Sequence, residues 1–358
     1  MRGARAAGDP IRVLIVEDSA VMRRLLTHIL SQAPGIEVAG AAESARAARK
    51  LILRHQPDVM TLDVQMPGES GLSFLAGLMS THPMPVVMVS AYTQAGAETT
   101  MAALKLGAVD FVAKPSEELG RGIEDLQEEL IGKVRAAALS RVVRRTKSSP
   151  PLPPAAFPRT EECVVAIGSS MGGAEALSEI LPRLPVQSPG ILIVQHMPEK
   201  FTRTFANRLD DISAIRVKEA QSGDRILPGQ ALLAPGNRHM ALRRSSLGYS
   251  VEVHDGPKVW SCRPSVDVLF ASMAQIAGKS GVGVILTGMG KDGVDGIARM
   301  KCEGARTIAQ DEETSVVFGM PKEAIGTGAV DYVLPLEEIP ARLAEILREG
   351  ERPSPAKR

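Results

Sequence analysis

Short apolar runs of strand character alternate with helix-period stretches twice along this chain, and a proline-rich break separates the two series. The first series has its runs at residues 12–16, 37–41, 59–62, 86–90 and 110–112. Between the first two lies Ala20–Gln32, where Val21, Leu25, Ile29 and Leu30 recur at helical spacing. Strands joined through helices cannot be tight hairpins, so the alternation forces parallel neighbours with crossover helices on the sheet faces. A second series has runs at 163–167, 191–195, 231–234, 282–287, 306–309 and 332–334, with a small hairpin at 240–243 and 249–253 around Gly248. Between the two series stand Ser148-Ser149-Pro150-Pro151-Leu152-Pro153-Pro154 and Pro158. Proline supplies no backbone donor and fixes φ, so this run reads as a semi-rigid extended linker. The expected fold class is α/β, with two doubly wound parallel-sheet domains at 11–129 and 161–350. A helical then Pro-rich linker is expected at 130–160, with flexible tails at 1–10 and 351–358.

Size and charge narrow the function classes. At 358 residues the chain is too long for one ordinary core. With 42 Lys and Arg against 41 Asp and Glu, the net charge of +1 gives no electrostatic footprint for nucleic acid. Only 3 cysteines occur, without CxxC pairs or His/Cys spacings of zinc type, which fits a reducing compartment and no disulfide framework. No apolar run approaches the roughly 20 residues that cross a bilayer. Arg2 and Arg5 near the start precede no apolar signal segment. A cytoplasmic protein with no direct membrane insertion is expected.

Functional residues of a parallel sheet gather beyond the carboxyl ends of its strands. In the first series Glu17-Asp18 end one strand, Asp63 another and Ser90 a third, while Lys114 follows the last. Three carboxylates in one pocket repel one another unless a cation neutralises them, and hard oxygen donors suit Mg²⁺. A carboxylate there can accept a phosphoryl group, with a hydroxyl and an ammonium to hold its oxygens. The plainer alternative is that each acid or serine simply caps the following helix. The stretches Val13-Leu14-Ile15-Val16-Glu17-Asp18-Ser19, Leu62-Asp63-Val64-Gln65-Met66-Pro67, Val89-Ser90-Ala91 and Lys114-Pro115 resemble a two-component receiver domain across residues 11–129. That resemblance implies a flavodoxin-like fold, Asp63 as phosphoacceptor, and Glu17 and Asp18 joining it around Mg²⁺. It further implies Ser90 and Lys114 as phosphate sensors, Phe111 as the aromatic that repositions, and a sensor histidine kinase as phosphodonor.

In the second series, Gly168-Ser169-Ser170-Met171-Gly172 follows the first strand and satisfies G-x-S-x-G. Glycines allow a sharp strand-to-helix turn that lifts the central serine oxygen into the open. The alternative is a glycine-rich turn that binds phosphate or packs closely. Dinucleotide binding fits poorly, because Ser170 replaces the middle glycine of G-x-G-x-x-G. His196 follows the next strand, and Asp292 lies within Thr287-Gly288-Met289-Gly290-Lys291-Asp292-Gly293. Three such strand ends can converge, giving Ser170 as nucleophile, His196 as base and Asp292 as its orienter. Backbone N–H groups of the Met289-Gly290 turn are candidates for an oxyanion hole. His239 and His254 read as structural histidines.

These residues, with Gln195-His196-Met197-Pro198, Ala234-Pro235-Gly236-Asn237-Arg238-His239-Met240, Arg263-Pro264-Ser265-Val266-Asp267 and Val317-Phe318-Gly319-Met320-Pro321-Lys322, resemble the catalytic domain of the chemotaxis protein-glutamate methylesterase (CheB) family. The resemblance implies a Rossmann-like α/β catalytic domain and Ser170, His196 and Asp292 as the triad. It implies hydrolysis of glutamate methyl esters on methyl-accepting chemotaxis receptors, accompanying glutamine deamidation, and no cofactor for the ester step. Where that family commonly has Ala and Thr around the nucleophile, this chain has Ser169 and Met171. Lys291 stands where Asn is common, and Gln65 where Glu is frequent. A receiver linked to an enzyme predicts a phosphorylation-gated hydrolase. The rival reading is a response regulator whose C-terminal half is a non-enzymatic docking module.

Overall fold

The computed structural model describes residues 9–91, 93–115, 122–140, 163–246 and 248–350. Residues 1–8 of the tail expected at 1–10, the tail expected at 351–358, and the proline-rich run at 148–154 lie outside the described residues. The chain divides into two compact units, Met1–Val142 and Val143–Arg358.

The first unit runs β1 (Ile11–Val16), α1 (Ala20–Gln32), β2 (Ile36–Ala42), α2 (Ala45–His55), β3 (Val59–Asp63), α3 (Gly71–Thr81), β4 (Val86–Ser90), α4 (Gln94–Lys105), β5 (Asp110–Ala113) and α5 (Ile123–Leu139). Its five strands lie in the order β2-β1-β3-β4-β5, all parallel. Every residue of β3 and β4 is buried, as strands covered by helices on both faces require. The local signals are legible: Ser19, Ser44, Ser70 and Thr93 each cap the helix that follows by accepting a backbone N–H. The expected boundary at 129 falls inside α5. Leu126, Leu130, Val134, Ala136 and Ala137 are buried on that helix, so its apolar face continues well past residue 129.

The second unit runs β6 (Val164–Ser169), α6 (Gly173–Ile180), β7 (Gly190–Gln195), α7 (Glu199–Ile212), β8 (Arg216–Glu219), β9 (Gln230–Leu233), β10 (His239–Ser245), β11 (Gly248–His254), α8 (Val266–Ile276), β12 (Gly281–Ile285), α9 (Val294–Cys302), β13 (Arg306–Gln310), α10 (Met320–Gly326), β14 (Tyr332–Leu334) and α11 (Ile339–Gly350). Seven parallel strands take the order β14-β13-β12-β6-β7-β9-β8, and β10-β11 form the expected antiparallel hairpin. Apart from β8, this is the doubly wound order of a Rossmann-like sheet. Progress reverses between β6 and β12, which are paired from Gly281↔Val164 to Ile285↔Gly168. A crevice opens at such a switch point, beyond the carboxyl ends of the strands. Strand β8 was not anticipated. Its Arg-Val-Lys-Glu sequence buries only Val217, the pattern of a short charged edge strand, and carries too little apolar signal to be read locally.

Candidate functional sites

In the first unit the acidic residues meet as expected. Carboxylate oxygens of Glu17, Asp18 and Asp63 lie within 4.8 Å of one another. Glu17 and Asp63 are buried and Asp18 is exposed. The Lys114 ammonium sits 3.0 Å from Glu17 and 2.9 Å from Asp63. Both Glu17 oxygens are 3.0 Å from that ammonium, so a single cation bridges the carboxylate. Burial, then the Asp63 charge, push the Glu17 carboxyl up to about 7 against the pull of Lys114. Burial disfavours the Lys114 charge, but Asp63 and Glu17 more than compensate and raise its pKa. One lysine thus serves two buried acids, and Asp18 adds a third carboxylate. That surplus of hard oxygen donors fits a divalent cation.

The expected sensors are placed differently from one another. Ser90 is buried at the end of β4, and its hydroxyl donates to the Gly96 carbonyl of α4 at 3.2 Å. Among the described residues that hydroxyl makes no hydrogen bond to Asp63 or Lys114, although the Lys114 N–H donates to the Ser90 carbonyl at 2.8 Å. Phe111 on β5 is 2% exposed, with the Lys133 ammonium of α5 5.0 Å from its ring centroid. Lys133 also pairs with Asp110 at 3.2 Å and Glu129 at 3.0 Å, so this aromatic is roofed by a fixed cation.

In the second unit, the strand-to-helix turn needs Gly172, which takes the left-handed conformation at φ 77° to cap α6. Ser170 N–H donates to the Thr287 carbonyl at 3.0 Å, pinning the turn to the segment after β12. Gly288 is required at that junction, since a Cβ there would stand 2.8 Å from Ser170 Cβ. The neighbouring serines differ sharply. Ser169 is fully buried and its hydroxyl donates to Gln195 Oε1 at 2.6 Å, whereas Ser170 is partly exposed. Gln195 Nε2 donates in turn to the Ser170 carbonyl at 2.8 Å. Met171 is 2% exposed, so this departure from the family pattern is turned into the core.

His196 continues the β6–β7 pairing, its N–H donating to the Ser169 carbonyl at 3.1 Å. Its Nε2 lies 2.8 Å from Asp292 Oδ2. Asp292 is 2% exposed and accepts three further bonds: Ser265 Oγ at 2.6 Å, Val266 N at 2.7 Å and Asp267 N at 3.0 Å. The last two are orphan donors at the start of α8, where the helix dipole also favours an anion. Burial opposes ionisation of Asp292, but the His196 bond and these donors outweigh it and lower its pKa. A carboxylate accepts, so Nε2–H donates, and the lone pair of a neutral His196 ring resides on Nδ1. Cys262 Sγ lies 3.6 Å from that nitrogen. Burial works against the imidazolium, yet Cys262 and Asp292 together push His196 up to about 10.

The structure therefore brings His196 and Asp292 into contact and sets Ser170 on the adjoining strand end. Among the described residues no hydrogen bond joins the Ser170 hydroxyl to His196. In the Gly288–Gly290 turn, Gly288 N–H is taken by the Val317 carbonyl at 3.0 Å. Met289 and Gly290 donate to no acceptor among the described residues. Lys291 is exposed, 4.0 Å from Glu323. His239 is buried and its Nε2 bonds the Pro257 carbonyl at 2.9 Å, while His254 Nδ1 bonds the Asp255 carbonyl at 3.1 Å. Gln195, Cys262 and Ser265 were not foreseen as members of the site. Each lies beside or within a recognisable motif, but its partner is remote in sequence.

The comparisons with known proteins agree with both halves. A family model described as CheB methylesterase matches residues 165–343, and one described as response regulator receiver domain matches 13–123. A protein-glutamate methylesterase/protein-glutamine glutaminase of Anaeromyxobacter dehalogenans is 52% identical over 360 aligned positions, covering 97% of this chain and 99% of that one. One of Geobacter metallireducens is 52% identical, covering 94% and 95%. The crystal structure of the Thermotoga maritima CheB methylesterase catalytic domain matches with TM-score 0.51 and 44% identity, covering 51% of this chain and 98% of that one.

Proposed function

This chain belongs to the CheB methylesterase family, with a receiver domain ahead of the esterase domain, and from that premise we propose how its residues carry out the reaction. The activity is that of a protein-glutamate methylesterase and protein-glutamine glutaminase acting in chemotaxis. Its substrates are glutamate methyl esters and glutamines on methyl-accepting receptors.

Ser170 is the nucleophile. Its oxygen attacks the ester carbonyl while His196 Nδ1 takes its proton, which requires an approach to about 3 Å in the substrate complex. Bond cleavage releases the methoxy group, which leaves as methanol with the proton from His196. Water then loses a proton to His196 and attacks the acyl-enzyme, giving glutamate carboxylate and restoring the serine hydroxyl. A glutamine follows the same course with ammonia departing. Asp292 fixes the ring and stabilises its cation, and the N–H groups of Met289 and Gly290 face the developing oxyanion. The observation that carries this reading is the 2.8 Å His196–Asp292 pair beside the Ser170 turn at the switch point.

In the receiver, Asp63 accepts a phosphoryl group from a sensor histidine kinase, and Lys114 holds a phosphate oxygen. Glu17, Asp18 and Asp63 would hold Mg²⁺, which offsets the crowded negative charge when bound. Phosphorylation moves Ser90 off Gly96 and repositions Phe111, and this switch raises esterase activity. No helix among the described residues is long and apolar enough to cross a membrane, in keeping with a cytoplasmic enzyme.

Methanol release from methylated receptor by the full chain tests both halves. Turnover is expected to rise with a phosphodonor, to lose that rise in Asp63→Asn, and to vanish in Ser170→Ala. Retained turnover in Ser170→Ala refutes the nucleophile, and an unchanged phosphodonor response in Asp63→Asn refutes the switch.

A further inference from the structure

The turn Val259–Cys262 is closed at both ends, Val259 N–H donating to the Cys262 carbonyl at 3.0 Å and Cys262 N–H to the Val259 carbonyl at 2.8 Å. Its two central residues, Trp260 and Ser261, have φ of 51° and 61°. That is a type I′ geometry, which asparagine, aspartate and glycine adopt readily and a tryptophan does not. Strain of this kind persists where surrounding structure holds it, and it gathers at functional sites. The residue so held is the chain's only tryptophan, and it is 54% exposed.

Both flanks of the turn lead to the catalytic pair. On one side Cys262 Sγ is 3.6 Å from His196 Nδ1. On the other, Trp260 Nε1 donates to Asp267 Oδ2 at 2.9 Å, and Asp267 N–H donates to Asp292 Oδ1 at 3.0 Å. The indole's one polar group is thereby spent inward, and what it offers outward is ring carbon. Met289 is also exposed, at 44%, one residue after the glycine that packs on Ser170. A small ester needs no such apolar display beside the crevice. An ester borne on a polypeptide arrives with neighbouring side chains, and a rigid indole is an effective anchor for them.

We propose that Trp260 is a substrate-positioning residue whose exposed ring packs against aliphatic side chains flanking the esterified glutamate on the receptor helix. This rests on the methylesterase reading above and adds to it the surface that receives the protein part of the substrate.

The test uses the full chain and the methylated cytoplasmic domain of a receptor. Trp260→Ala and Trp260→Asn are compared with wild type for methanol release. Asparagine suits the left-handed turn, so Trp260→Asn should fold at least as well as the parent. The expected result for both is a KM raised about tenfold, as for loss of one apolar anchor, with kcat held within about twofold. In Ser170→Ala, titration with the same receptor domain should shift the single indole emission to shorter wavelength and saturate. An unchanged KM in Trp260→Asn together with an unmoved emission spectrum overturns the proposal. So does a fall in kcat at constant KM, which would mean that the turn acts only through His196 and Asp292. Absence of methanol release by wild type would instead refute the methylesterase reading on which it rests.

Discussion

Two buried carboxylate sites occupy equivalent positions, each beyond the carboxyl ends of a parallel sheet, and they are built on opposite principles. Asp292 receives four hydrogen bonds, from His196, Ser265, Val266 and Asp267. Glu17 and Asp63 share a single lysine, 3.0 Å from one and 2.9 Å from the other. The fold has completed the first site, so its charge is held below the ordinary carboxylate range. It has left the second short of positive charge, so Glu17 rises to about 7. A saturated carboxylate can orient a base without titrating. An undersaturated pair is a place where added charge, as cation or phosphoryl group, changes the balance.

The comparison breaks most directly at Asp292. Asp292→Asn retains the shape but replaces one acceptor oxygen by an amide donor facing α8 N–H groups. We expect kcat for methanol release to fall by about 10⁴-fold, as when a triad acid is neutralised in other serine hydrolases. A loss below about tenfold would show that His196 does not depend on this partner.

The next largest effect concerns pH. A base must be neutral to accept a proton, and His196 sits near 10, so its neutral fraction grows as pH rises. The kcat/KM of the phosphorylated chain should climb by up to about tenfold per pH unit between 7 and 9. Cys262→Ala removes one of the influences raising His196, and the limb should move to lower pH. A flat profile over that range, or a limb unmoved by Cys262→Ala, contradicts the assignment.

Stability should separate the two sites by sign. Glu17 has its carboxyl raised from 4.5 to about 7 in the folded state, so the folded state binds its proton more tightly. Its stabilising contribution is present below about pH 4.5 and is lost as pH rises through about 7. The shift corresponds to about 3 kcal/mol at most. In the absence of divalent cation, Glu17→Gln should therefore raise the melting temperature of the receiver at pH 8, whereas Asp292→Asn should lower that of the esterase domain. Mg²⁺ should stabilise the wild-type receiver more at pH 8 than at pH 5.5. Calorimetry of the full chain checks all three, and an equal Mg²⁺ effect at the two pH values would argue against Glu17 as the titrating ligand.

The same contrast explains what could be read from sequence. Parallel sheets and strand-end residues are local, and the 13-residue α1 coincides with the stretch Ala20–Gln32 that helical spacing predicts. Glu17, Asp63 and Lys114 were legible because each ends or follows a strand. What held Asp292 was not, because its donors sit 25 to 27 residues earlier at the start of another helix. The central place in G-x-S-x-G singles out Ser170 from sequence, but only packing shows why Ser169 is a different residue, its hydroxyl bound to Gln195. The same holds for Ser90, whose position follows from β4 but whose hydroxyl direction follows from Gly96 on α4.

Ser265 offers the finest test of saturation. Its hydroxyl donates to Asp292 at 2.6 Å and also accepts from Val268 N–H at 3.4 Å as the cap of α8. Ser265→Ala should cost about 1 kcal/mol through the lost cap and bond. Three donors remain on Asp292, so kcat should drop only about threefold to tenfold, with KM unchanged and Ser265→Thr restoring the rate. A loss as deep as that of Asp292→Asn would mean that the carboxylate depends on this one hydroxyl rather than on the helix start, and the site would then be as finely balanced as the acidic pocket of the receiver.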